Sequence, residues 1–240
     1  MARNSTILLL LFFMILRPMQ AVHAQDADPY AILGKLKQKT AAIKSYTANI
    51  EIRVDVDFIK MPIKHARLFF KEPDKISFKS SDFIMLPRRG FHNSLSKMLN
   101  GQYLAISMGK EMIGTRKQDV IKIIPSEKKS DVILATWWID CESGNVTRTE
   151  SNTRDQGTFV VDMKYQSSHD VLPVEITVRF EIEGMSIPLR FIGKSNGMTI
   201  DKQKSKGKQE GKVIIRFTDY KINGVIEDSV FSTDNTDNGK

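Results

Sequence analysis

The sequence predicts a mainly β (α+β) fold: one antiparallel sheet with an apolar side, preceded by a single amphipathic helix. Two observations carry this. Between Tyr46 and Phe58 the chain alternates, with Ile50, Ile52, Val54, Val56 and Phe58 on one face and Glu51, Arg53, Asp55 and Asp57 on the other. The same two-residue period returns at Phe159, Val161, Met163 and Tyr165, at Val174, Ile176, Val178, Phe180 and Ile182, and at Val213, Ile215 and Phe217. Helical spacing is scarce by comparison. The apolar side of such a sheet needs a cover, and a lipid or lipid-linked partner is a natural one.

The elements follow in order. Arg3, the apolar run Ile7 to Ile15 and the segment Val22-His23-Ala24 read as an export signal over residues 1–24, placing the mature start at Gln25. The run is about half of what spans a bilayer. Asp28 is a candidate cap for a helix opening at Pro29, with Ile32, Leu33, Leu36 and Ile43 along one stripe. After the first strand, Met61 to Lys71 and Lys75 to Ser80 complete a three-strand meander turned at Glu72-Pro73-Asp74. Asp82 to Asn100 reads as a loop and a short helix. Strands resume over Gln102 to Met108, Val120 to Pro125, Asp131 to Asp140 and Val146 to Ser151, with breaks at Gly114, Pro125 and Ser143-Gly144-Asn145. In the Trp137-Trp138 pair one indole points into the core and the other out. The polar run Asp201 to Glu210 carries no large apolar residue and is expected to be a mobile hairpin loop. The chain thus divides into a signal over 1–24, one domain over 25–233 and a frayed tail over 234–240.

Composition narrows the function. Loss of residues 1–24 removes Arg3 and Arg17 and no acid, lowering the formal net charge of +8 by two. That charge is interspersed with many acids, which with export argues against nucleic acid and leaves mild attraction to an anionic surface. Cys141 is the single cysteine, so no internal disulfide forms, and no cysteine stands at the cleavage point to carry a lipid anchor. The expected protein is exported, soluble and not lipid-anchored. Catalysis has no foothold: the mature chain's His65, His92 and His169 stand far apart, and HExxH, CxxC, GxSxG and glycine-rich phosphate loops are missing. Asp140 and Glu142 flank a turn and read as solvated acids. No enzyme activity, metal or cofactor is expected. The segment Phe83 to Leu99 mixes bulky apolar residues with Pro87, Arg88, Arg89 and Gly90, which suits either a movable cover or a small satellite core.

The leading helix ending near IKSYTANIEIRV, the strand pair broken at FFKEPDKISF and the closing GKVIIRFTDYKINGVIEDSVF together resemble the LolA-like periplasmic outer-membrane lipoprotein carriers, over roughly Asp28 to Phe231. The resemblance implies an incomplete antiparallel β-barrel, a half-barrel around an apolar cavity, with a helical and loop lid. It implies a monomeric periplasmic carrier of lipoprotein acyl chains or another lipid, loaded by an inner-membrane release transporter and unloaded on an outer-membrane acceptor. Each methylene left in water costs about 0.8 kcal/mol, so such cargo must be shielded. The lining is expected from Ile52, Val54, Val56, Phe69, Phe78, Phe159, Val161, Ile176, Val178 and Phe217, and the lid from Phe83, Met85, Leu95 and Met98. One departure stands out: the family's Lys-Arg-Pro turn reads Lys71-Glu72-Pro73 here, and glutamate cannot donate the arginine's hydrogen bonds. A reversed latch would pair Glu72 with Arg88 or Arg89. The alternatives are a lipid- or lipoprotein-sensing regulator of the envelope and a structural β-protein with a dry core.

Overall fold

The computed structural model describes residues 28–80, 93–127, 130–154, 157–183, 199–200 and 208–232. Helix α1 (Pro29–Ala41) opens as its sequence dictates. Asp28 accepts a hydrogen bond from the Tyr30 amide at 3.0 Å, Pro29 takes the first turn, and Leu33 and Leu36 are buried. The strands are β1 (Ser45–Val56), β2 (Ile59–Lys60), β3 (Lys64–Lys71), β4 (Lys75–Lys79), β5 (Tyr103–Ile113), β6 (Arg116–Pro125), β7 (Val132–Asp140), β8 (Val146–Thr153), β9 (Thr158–Lys164), β10 (Glu175–Glu183), β11 (Thr199–Ile200) and β12 (Lys208–Ile222). Helix α2 (Asn93–Asn100) lies between β4 and β5, and a single turn, α3 (Ser229–Ser232), follows β12.

All strands join one antiparallel sheet. The main path runs β4-β3-β1-β12-β10-β9-β8-β7-β6-β5, with β2 and β11 adding a short ribbon at the end of β1. Among the described residues β4 and β5 do not meet, so the sheet stays open. Register explains its two faces, because residues directly opposite share a side. One row crosses eight strands: Val54, Val213, Val178, Val161, Thr149, Trp137, Ile121 and Ser107. This inner face, together with Leu33 and Leu36 of α1 and Leu99 of α2, forms the main core. Trp137 is 1% exposed within it, whereas Trp138 faces outward, donating to Glu111 at 2.7 Å beneath the guanidinium of Arg148.

Several expected boundaries move. Strand β3 starts at Lys64 rather than Met61, and β5 and β6 are longer than their apolar alternation indicates. A bulge between Ser107 and Lys110, with Gly109 at φ +84°, interrupts the pattern but not the ladder, and a tight turn at Gly114 (φ +61°) joins the strands. Lys208, Gln209 and Glu210 belong to β12, paired with Glu183, Ile182 and Glu181, not to a loop. Backbone pairing with β10 carries these polar residues into the ladder without an apolar side chain. Residues 201–207, the signal segment 1–24 and the tail 234–240 lie outside the described residues.

Two polar devices hold the ends of the sheet. Asn223, at φ +56°, accepts from the Lys44 amide at 2.7 Å and donates to Ala42 O at 2.9 Å, clasping the α1–β1 junction to the end of β12. Lys71 and Lys75 both reach Asp228, at 2.9 and 3.1 Å, tying the closing segment to the β3–β4 hairpin.

Candidate functional site: a helix-roofed apolar cavity

The inner face is roofed where α1 and α2 cross it. Leu95, Met98 and Leu99 recur at helical spacing on α2 and turn toward the core, with Leu99 buried. Tyr30 of α1 stacks on Tyr103 at 6.2 Å between ring centres, and its hydroxyl accepts from the Ala105 amide at 3.1 Å. That bond covers part of the free edge of β5. Under the roof lies a cavity of about 60 Å³, lined by Leu36, Leu95, Leu99, Met163, Val171 and Ile176, with Lys39, Thr40, Ser96, Asn145 and Tyr165 among its polar members. Tyr165 donates to Val146 O at 2.9 Å, and burial raises its hydroxyl pKa above the ordinary tyrosine range. It serves as a neutral wall.

A second, more polar cleft of about 320 Å³ lies between Ile32, Lys35 and Lys39 of α1 and the β7–β8 turn at Asp140 to Gly144. Asp140 is not solvated as the sequence suggests. It is 1% exposed, and its carboxylate accepts from the Ser143 amide at 2.7 Å, the Ser143 hydroxyl at 2.8 Å and the Glu142 amide at 3.2 Å, with Arg116 at 3.4 Å. Burial alone pushes this carboxyl up, but those hydrogen bonds and the guanidinium outweigh it and leave the pKa below the usual value. Nearby, Lys110 is ion-paired with Asp119 and lies 3.5 Å from the Cys141 sulfur. Burial and the neighbouring Asp119 raise the Cys141 thiol, so it stays protonated at neutral pH. Among the described residues no cluster of three or more His, Cys, Asp or Glu could hold a metal.

The predicted lining residues divide. Ile52, Ile176, Val178 and Phe217 are buried in the main core, with Phe78, Phe159, Val161, Leu95 and Met98 packed against it; Ile176 and Leu95 line the cavity itself. Val56 belongs to a separate small cluster with Phe58 and Ile59, against which Val54 packs. Phe69 sits on the outer face: it pairs with Thr47 while Phe70 pairs with Tyr46, and the Lys79 ammonium lies 5.6 Å from its ring. Parity within Lys64 to Lys71 decides this, since Ala66, Leu68 and Phe70 form the apolar set. Glu72 ion-pairs with Lys44 at 2.9 Å. Arg88, Arg89, Phe83 and Met85 lie outside the described residues. Sequence reasoning missed Tyr165, Leu99 and Lys39 as lining residues; only the crossing of α1 and α2 over β8 to β10 gathers them.

No protein-family model and no curated protein sequence matches the chain. Solved structures do. A DUF1329 family protein from Desulfovibrio piger aligns with 85% of this chain and 97% of its own at TM-score 0.56 and 10% identity. A LolA superfamily protein from Nitrosomonas europaea aligns with 85% and 96% at 0.51 and 12% identity. A domain described as an outer membrane lipoprotein-sorting protein, from Vibrio parahaemolyticus, aligns with 85% and 95% at 0.53 and 12% identity. Similarity at this identity is one of fold, and the open antiparallel sheet roofed by helices is therefore a LolA-like fold.

Proposed function

We propose that this protein is a periplasmic carrier that takes acyl chains of lipoproteins, or of another lipid, onto its inner face and moves them toward the outer membrane. The observation that carries the reading is the roof: Leu36, Leu95, Met98 and Leu99 cover the apolar face with side chains an acyl chain can replace. In its present form the cavity is too small for cargo, since even benzene occupies an apolar cavity of roughly 150 Å³. Loading therefore requires α2 to move, exchanging contacts among leucines for contacts with lipid at about 0.8 kcal/mol per methylene removed from water. Two structural neighbours, one a LolA superfamily protein and one described as an outer membrane lipoprotein-sorting protein domain, fit this role. An inner-membrane release transporter and an outer-membrane acceptor are the partners such a carrier needs.

Native mass spectrometry and lipid extraction on protein purified without detergent test the reading. Co-purified acylated peptide supports the lipoprotein carrier, and free lipid supports the carrier with another cargo. A second reading, a structural β-protein with a dry core, is favoured by the small cavity volume. It wins if the protein is ligand-free and takes up no acyl probe.

A further inference from the structure

Lys39 lies at the boundary between the apolar cavity and the polar cleft, and it lines both. Its ammonium donates to Ser143 O at 2.9 Å and Asn145 Oδ1 at 2.6 Å, two neutral acceptors. A lysine ammonium has three donors, so one remains for a further acceptor. Among the described residues no carboxylate lies within ion-pair distance of it.

The acids around Lys39 are committed elsewhere. Asp140 is satisfied by Ser143, Glu142 and Arg116, and Asp119 by Lys110 and Cys141. Asp170 accepts from the Ser167 amide at 2.7 Å. Glu142 is exposed at the cleft's rim, across from a second cation, Lys35. Burial lowers the Lys39 pKa, while Asp170 and Asp140 oppose this from a distance. A partly buried cation with a spare donor thus stands where the apolar cavity and the polar cleft share a wall.

We propose that Lys39 makes this site selective for acyl ligands with an anionic head, a carboxylate or a phosphate, whose chain enters the cavity while the head meets the ammonium at the cleft. This inference rests on the carrier reading and narrows its cargo. The ester and amide carbonyls of a lipoprotein anchor can accept a hydrogen bond from Lys39 but carry no charge to pair with it, whereas the carboxylate of a fatty acid or the phosphate of an anionic phospholipid completes an ion pair as well.

The test compares cis-parinaric acid with its methyl ester, which share one chain and differ in charge, on delipidated purified protein. The acid is expected to bind about tenfold more tightly or better, the scale of a charge-assisted hydrogen bond. Lys39→Met should weaken the acid alone and erase the preference, and Lys39→Arg should restore it. Should Lys39→Met fail to fold, Lys39→Gln, which retains a donor for Ser143 O without the charge, takes its place. Displacement of bound methyl ester by palmitate or by palmitoyl lysophosphatidate, with monopalmitoylglycerol as the neutral control, distinguishes a carboxylate source from a phosphate source. Equal binding of acid and ester by the wild type, or equal loss of both in the variants, overturns the selectivity and leaves the carrier intact. Failure of both probes to bind the wild type overturns the carrier reading and this inference with it.

Discussion

At the residue scale, the buried acid Asp140 links stability to pH. Its folded-state pKa lies below the ordinary 3.8, so its contribution is present at neutral pH and lost as pH falls through the carboxylate range into the folded value. Asp140→Asn should cost about 1–3 kcal/mol at pH 7 by weakening the bonds from Ser143 and Arg116, and less near pH 3. Urea unfolding at the two pH values measures the difference; an equal loss at both would assign the effect to packing instead. Asn223 gives a second prediction. Asn223→Ala loses the bonds to Lys44 and Ala42 and places an alanine at positive φ, costing about 2 kcal/mol, while Asn223→Asp keeps an acceptor and a tolerated backbone and costs less. Thermal melts of the pair rank them. The adjoining indoles should separate as their faces do: Trp137→Ala by about 3–5 kcal/mol, and Trp138→Ala by far less.

At the element scale, the roof is where stability and function oppose one another. Leu99 is 4% exposed and lines the cavity from α2. Leu99→Ala should lower stability by about 2–5 kcal/mol and enlarge the cavity, so that uptake of a fluorescent acyl probe rises while the melting temperature falls. If both fall together, the space under α2 is core rather than binding site. Helix α1 was legible because cap, first-turn proline and apolar stripe agree at Asp28, Pro29, Leu33 and Leu36. The length of β5 was not, because a bulge at Gly109 shifts the pairing and erases the local alternation.

At the scale of the whole molecule, the proposed exchange of the sheet's own leucines for lipid predicts that ligand stabilises the fold according to mass action. A bound acyl ligand at about 100 times its Kd should add ~2.7 kcal/mol and raise the melting temperature with concentration. A melting temperature insensitive to palmitate and to lysophosphatidate across that range would speak for the dry core. Among the described residues, the sheet edges at β5 and β4 are protected differently. Strand β5 is partly capped by Tyr30, and β4 is anchored through Asp228.

Alternation and capping are local properties of the chain, and the sequence alone therefore determined that α1 opens at Asp28, that most strands lie where they do, and which side of β1, β9, β10 and β12 is apolar. It also pointed to the LolA-like architecture through the order of those elements. Only the tertiary structure decided which apolar residues share one cavity. Phe69 and Phe70 are adjacent in sequence but separated by the sheet, whereas Leu36, Leu95 and Ile176 are distant in sequence and meet under one roof. Strand parity and helix crossing fix such neighbours, and both depend on long-range pairing that no short stretch of sequence encodes. Lys39 shows this most clearly: an ordinary helix-end lysine in sequence, it stands in the fold where an apolar cavity meets a polar cleft.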